Sequence, residues 1–184
     1  MRTYDEAEAF LNGLVNYEKL LSSPVRYETS EFDRDSFREL LRQLGDPHLD
    51  YAVIHVAGTK GKGSTCAFLE SVLRSAGLRT GLYTSPHISR YTERIAVNGQ
   101  PISDQVFCDL LSRLRDKWDG RRFEASPLSS PSPGFRTVFE LLTAAAFVCF
   151  SEQRVDVAVI ETGLGGRLDS TNVFDRPGKG PLVS

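Results

Sequence analysis

Tyr51-Ala-Val-Ile-His-Val-Ala-Gly-Thr-Lys-Gly-Lys-Gly-Ser64 is the stretch that decides the fold. Tyr51 to Ala57 is short, mostly apolar and contains valine and isoleucine, the composition of a strand buried on both faces of a parallel sheet. Gly58 to Ser64 follows directly, with glycines at 58, 61 and 63 around Lys62. Glycines let backbone amides approach an anion, the start of the next helix favours negative charge, and a lysine neutralises the β and γ phosphates. Gly58, Thr59, Lys60, Gly61, Lys62, Gly63 and Ser64 are therefore read as a cradle for a nucleoside triphosphate, ATP, with Lys62 as its cation. The standard phosphate loop, G-x-x-x-x-G-K-[ST], is missed twice: Val56 occupies the first glycine position, and Gly63 follows the lysine, so the hydroxyl of Ser64 comes one place late. The plainer reading, a glycine-rich turn with surface lysines, explains less, because a preceding strand, the glycines, the lysine and a following helix coincide.

Working outward, Ser64 to a stop at Gly77 repeats apolar residues at helical spacing through Phe68, Leu69, Val72 and Leu73, and Thr80 to Thr84 reads as the next strand. Strand, loop, helix and strand make a βαβ unit. Arg94 to Val97 reads as a strand before the turn Asn98-Gly99, then a helix from about Asp104 to Trp118 carries Phe107, Leu110, Leu111 and Leu114. Ser126 to Gly134 reads as a loop. A helix from about Thr137 to Glu152 leads into the buried strand Val155 to Ile160 and the turn Glu161 to Gly166. Upstream, Thr3 and Glu6 suggest a capping box for a helix ending near Leu21, and Phe37, Leu40, Leu41 and Leu44 a second helix stopping at Gly45. The expected class is α/β, a mostly parallel doubly wound sheet flanked by helices, with 1–50 as a helical lead-in and 51–184 as the phosphate-loop core of one domain.

Composition narrows the function. Lysine plus arginine number 22 against 24 acids, so bulk positive charge for nucleic acid is lacking. The N-terminus carries acids where an export signal needs bases, and Leu141 to Phe150 falls far short of the roughly 20 residues of a membrane helix. Cys66, Cys108 and Cys149 are odd in number and widely spaced, pointing to reduced thiols rather than a disulfide framework or zinc site. A soluble, cytoplasmic protein without membrane or nucleic-acid partners is expected.

Candidate chemistry gathers at strand ends. Glu161 ends its strand where open α/β sheets bind ligands, and magnesium is commonly held by one or two carboxylates plus phosphate and water; a surface glutamate capping a loop is the bland alternative. Thr84-Ser85-Pro86-His87 ends another strand on the same edge, placing Ser85 for a metal and His87 for a substrate, against a plain turn. His48 reads as a loop residue, His55 as a satisfied core histidine, and Arg121-Arg122 as a solvated pair.

Five segments, His55 to Ser64, Tyr83 to His87, Tyr91 to Ile95, Thr137 to Glu140 and Val159 to Val173, together resemble the ATPase region of the folylpolyglutamate synthase and dihydrofolate synthase family in the Mur ligase superfamily. The late hydroxyl of Gly-Lys-Gly-Ser is similar to the folate branch, whereas peptidoglycan Mur ligases usually read Gly-Lys-Thr or Gly-Lys-Ser. Lys60 stands where many bacterial relatives have asparagine. The resemblance implies ATP on the 58–64 loop, Ser85 and Glu161 as magnesium ligands, Lys62 and Glu161 in catalysis, and a folate site shaped by Ser85 to Arg94. It also implies that Phe139, Glu140 and the Gly165 to Asp169 turn, with Gly166, Arg167 and Asp169, lie near a pterin. The implied reaction is ATP-dependent addition of L-glutamate to a folate or dihydropteroate carboxylate through an acyl phosphate, by a monomer when full length. Family members are expected to continue past Val173 into another strand, a histidine metal ligand, a carbamylated lysine and a C-terminal domain. On that expectation this chain is a truncated ATP-binding domain without turnover of its own. A different Mur-type ligase and a non-catalytic nucleotide-binding module are the rivals.

Overall fold

A computed structural model describes residues 1–14, 16, 34–117, 137–163, 166, 167 and 169–174. The expected 126–134 loop, the Arg121-Arg122 pair, Gly165 and the segment after Phe174 lie outside the described residues.

Among the described residues five strands form one sheet: β1 (Ala52–Val56), β2 (Thr80–Tyr83), β3 (Ile95–Val97), β4 (Gln100–Pro101) and β5 (Val157–Glu161), in the order β1-β5-β2-β3-β4. β1, β5 and β2 are parallel, and β3 and β4 continue the sheet antiparallel. The expected βαβ unit is present, but its two strands are not neighbours. β5 lies between them, buried along its whole length, and takes the centre because Val157, Ala158, Val159 and Ile160 are apolar toward both faces. β1 is corrected in the same way. It alternates, with Val53 and His55 buried and Ala52, Ile54 and Val56 half-exposed, and it stands at an edge of the described sheet.

The helices are α1 (Tyr4–Asn12), α2 (Arg34–Gln43), α3 (Lys62–Ser75), α4 (Asp104–Lys117) and α5 (Val138–Glu152). Alternation along β2 shows that the sheet is covered on both sides. Thr80 donates to Glu70 of α3 at 2.6 Å, whereas Gly81 lies against Phe150 and Tyr83 bonds Thr143, both on α5. α4 packs on α5, and α1 on α4 through Tyr4 and Phe107, whose rings stack at 5.9 Å. Leu11, Phe37, Leu41, Phe107, Leu111, Leu141 and Phe147 share one core with β5, so the two N-terminal helices pack into the body of the fold.

α1 begins as expected, with Thr3 accepting from the Glu6 amide at 3.3 Å, but it ends at Asn12, not near Leu21. The Gly13 N–H closes onto the Ala9 and Phe10 carbonyls there. α5 carries a complete capping box: the Thr137 hydroxyl accepts from the Glu140 amide, and the Glu140 carboxylate accepts from the Thr137 amide. His48 is corrected from loop residue to core. It sits in a 3-10 turn, Pro47–Leu49, 5% exposed, against the rings of both Phe147 and Phe174.

Candidate active site

β1, β5 and β2 end at one edge, where the register sets Val56 beside Glu161 and Tyr83 beside Ile160. Each strand delivers one part of the site: Gly58 to Ser64 follows β1, Ser85 follows β2, and Glu161 closes β5. Ligands of open α/β sheets bind at this kind of edge.

Gly61 begins α3 with φ +77, a left-handed backbone that glycine adopts without strain. It brings no side-chain cap, so the first amides of α3 keep the donors that a helix N-terminus offers an anion. Lys62 is the first helical residue. A Cβ built on Gly58 would stand 3.7 Å from Lys62 Cγ, so the lysine stem folds back over the start of the loop. Thr59, Lys60 and Ser64 are exposed around it.

Glu161 is 5% exposed, and its Oε2 accepts the Ser85 amide at 3.1 Å. A Cβ on Gly63 would lie 3.5 Å from the same oxygen. The loop, Ser85 and Glu161 therefore converge, and Gly63, the departure from the standard loop, lies beside the carboxylate. The carboxylate and hydroxyl oxygens of Glu161 and Ser85 suit a hard cation such as Mg2+. Among the described residues no group of three or more His, Cys, Asp or Glu gathers to hold a metal ion. Burial and the nearby Glu161 charge push the Cys66 thiol up to about 12, so it is an inert packing group.

His87 lies on the 85–94 loop, its Nδ1 accepting from Arg94 Nε at 2.9 Å and its ring centroid 4.3 Å from that of Tyr91. The loop is built by residues the sequence reading did not single out. Glu93 accepts the amides of Ile88, Ser89 and Arg90 at 2.8, 3.0 and 2.8 Å, which holds its carboxyl below the usual range. Arg90 pairs with Asp104 and lies over the Tyr4 ring, and the Tyr4 hydroxyl accepts from the Tyr91 amide at 3.0 Å. An acid shortly after Ser-Pro-His-Ile-Ser was a usable local signal; the Tyr4 contact spans 87 positions and left none.

Phe139 reaches the same strand end: its ring lies 6.0 Å from Tyr83, and a Cβ on Gly163 would come within 2.5 Å of it. Glu140 is buried and engaged in the α5 cap. Gly166 has φ +108, a backbone that favours glycine, and a Cβ there would stand in ordinary contact, 3.7 Å, with that of Ala57. Arg167 is exposed, while Asp169 is buried and accepts from both the amide and the hydroxyl of Thr171. His55 is the satisfied core histidine expected, 2.8 Å from the Thr171 hydroxyl.

No family model matches the chain. Over 139 residues it is 44% identical to the dihydrofolate synthase/folylpolyglutamate synthase of Bacillus subtilis, covering 75% of this chain and 31% of that protein. A Mycobacterium tuberculosis folylpolyglutamate synthase complexed with ADP superposes with a TM-score of 0.70 at 35% identity, over 91% of this chain and 35% of that one. A folylpolyglutamate synthase complexed with AMPPCP and folate gives 0.74 at 35% identity, over 94% and 38%. The chain spans about a fifth to a third of the curated relatives it matches. With the strand order, phosphate loop and Glu161 edge in place, the chain is the counterpart of one segment of the folylpolyglutamate synthase and dihydrofolate synthase family, with its Mur ligase fold.

Proposed function

We propose that this chain is the ATP-binding part of a ligase that activates a folate or dihydropteroate carboxylate and joins it to L-glutamate. The observation that carries the reading is the convergence of the Gly61–Lys62 helix start, Ser85 and Glu161 at one sheet edge. The names of the relatives, and the ADP, AMPPCP and folate of the matching complexes, support the same substrates.

In the reaction, an acceptor carboxylate oxygen attacks the γ-phosphorus of ATP, the β–γ bridge bond breaks and ADP leaves. The glutamate amine then displaces phosphate from the acyl phosphate, losing a proton and leaving the amide. Phosphoryl transfer requires positioning and charge neutralisation more than covalent help. The amides of α3 and Lys62 take up charge on the β and γ phosphates. Glu161 and Ser85 hold Mg2+, which when bound supplies further neutralisation. The braced 85–94 loop, Phe139 and the Gly166 to Asp169 turn flank the edge and form the acceptor side. The buried thiols fit a reducing, cytoplasm-like compartment.

Calorimetric titration with AMPPCP tests the nucleotide site. Lys62→Ala is expected to weaken binding by roughly tenfold to a hundredfold, the worth of a charge-assisted contact; equal affinity in both proteins removes Lys62 from its role. The acceptor is tested by glutamate-dependent phosphate release from the full reading frame containing this chain, offered dihydropteroate, folate or a muramoyl peptide separately. Activity with the muramoyl peptide alone overturns the folate reading.

A further inference from the structure

The turn at 166–172 and the strand that carries the phosphate loop are joined by a buried polar chain. Asp169 is 4% exposed and Thr171 fully buried; the Thr171 hydroxyl donates to Asp169 Oδ1 at 2.5 Å, and the Thr171 amide donates to the same oxygen at 2.9 Å. His55 Nε2 lies 2.8 Å from that hydroxyl. A hydroxyl has one proton to give, and it is committed to the carboxylate, so its oxygen accepts from His55 Nε2–H. His55 precedes Gly58 by three residues, is 5% exposed and has the Phe174 ring edge against it at 5.8 Å. Around the chain the turn closes on itself: the Asp169 amide bonds the Gly166 carbonyl, the Asn172 amide bonds the Asp169 carbonyl, and the Asn172 side chain bonds the Arg167 carbonyl.

We infer that His55 and Thr171 are positioning residues: through Asp169 they clamp the 166–172 turn, with the exposed Arg167 at its tip, at a fixed place beside the phosphate loop. The clamp gives the acceptor side of the site the same rigid base, β1, as the nucleotide side. A reacting pair held by one strand keeps its relative geometry, which is what positioning supplies to a two-substrate transfer. Burial also lowers the His55 pKa, which keeps the ring neutral and suited to a single donated bond.

The inference rests on the ligase reading only for its ligand measurement. Long-range 15N–1H spectra at about pH 8, above the ordinary histidine value, are expected to show His55 protonated at Nε2; protonation at Nδ1 overturns the clamp. Thr171→Val is expected to raise the rate of tryptic cleavage after Arg167 about tenfold at unchanged AMPPCP affinity, and Thr171→Ser to restore the wild-type rate. Unchanged cleavage in Thr171→Val, or failure of the serine to rescue, overturns it. With folate as probe in the full reading frame, Thr171→Val is expected to lose about tenfold in acceptor affinity; an equal loss for AMPPCP overturns the division between the two sides. A wild-type protein that binds neither probe sinks the ligase reading alone, and the spectra and cleavage rates then decide the clamp. Should Thr171→Val fail to fold, the tautomer and the serine variant decide it.

Discussion

Single residues set the chemistry of this edge by what they leave out as much as by what they bring. Gly163 makes room for the Phe139 ring, whose atoms a Cβ would meet at 2.5 Å. Glu93 does the opposite: one half-buried carboxylate fills a nest of three amides and fixes the loop that carries Ser85 and His87. Those bonds favour the ionised form, so the folded pKa lies below the ordinary value of about 4.3. The sign follows. The contribution of Glu93 to loop order is fully present above the ordinary value and is lost as pH falls through the lower, folded one. Titration of the Glu93 carboxyl carbon by NMR is expected to give a midpoint below 4.3, with the amide shifts of Ile88, Ser89 and Arg90 moving together at that midpoint. A midpoint at or above the ordinary value, or amides that do not follow it, refutes the account.

Elements were legible wherever a local pattern and a local partner agreed. The Thr3 cap of α1, the start of α5 near Thr137, the stop at Gly45 and the α4 stripe of Phe107, Leu110, Leu111 and Leu114 follow the local pattern, because each cap or face is settled within a few residues. The strand-to-helix turn at Gly61 and the carboxylate ending β5 were legible for the same reason. Strand order was not, since inserting β5 between β1 and β2 pairs residues far apart in the chain, Val157 with both Ala52 and Thr80. Neither was the His55–Thr171 pair, 116 positions apart, nor the burial of His48 by Phe147 and Phe174. The seam between β2 and α5 shows how such long-range fits bind the sequence. Gly81 lies under Phe150, where a Cβ would stand 2.8 Å from the ring. Gly81→Ala is expected to destabilise the fold by about 1–3 kcal/mol through overpacking. Phe150→Leu in the same background is expected to recover part of that loss, read by urea unfolding as a non-additive double-mutant cycle. Additive losses refute direct contact as the cause.

Across the whole molecule the two faces of the sheet are covered unequally by the described residues. One face meets α5, behind which α4 and α1 are stacked; the other meets α3. The helical stripe of α3 is wider than the sheet beneath it. Leu69 and Leu73 are half-buried, but Phe68 is 74% and Val72 67% exposed, and along β1 the residues Ala52, Ile54 and Val56 are half-exposed on the alternate positions to Val53 and His55. Periodicity reports which residues share a helical face and not whether anything covers that face: Phe68 and Val72 belong to the helical repeat read from the sequence and are exposed in the fold. Their energetic standing in this chain follows from exposure. Side chains that stay in water contribute little to folding, whereas truncating a fully buried ring leaves a cavity. The double variant Phe68→Ser with Val72→Ser is therefore expected to shift unfolding free energy by no more than about 0.5 kcal/mol, and Phe147→Ala, in the opposite layer at 0% exposure, to cost about 3–5 kcal/mol. Urea unfolding of the three proteins measures both. A loss of more than about 2 kcal/mol in the serine variant shows that this face is covered when the chain folds in solution, and the unequal layering is then wrong.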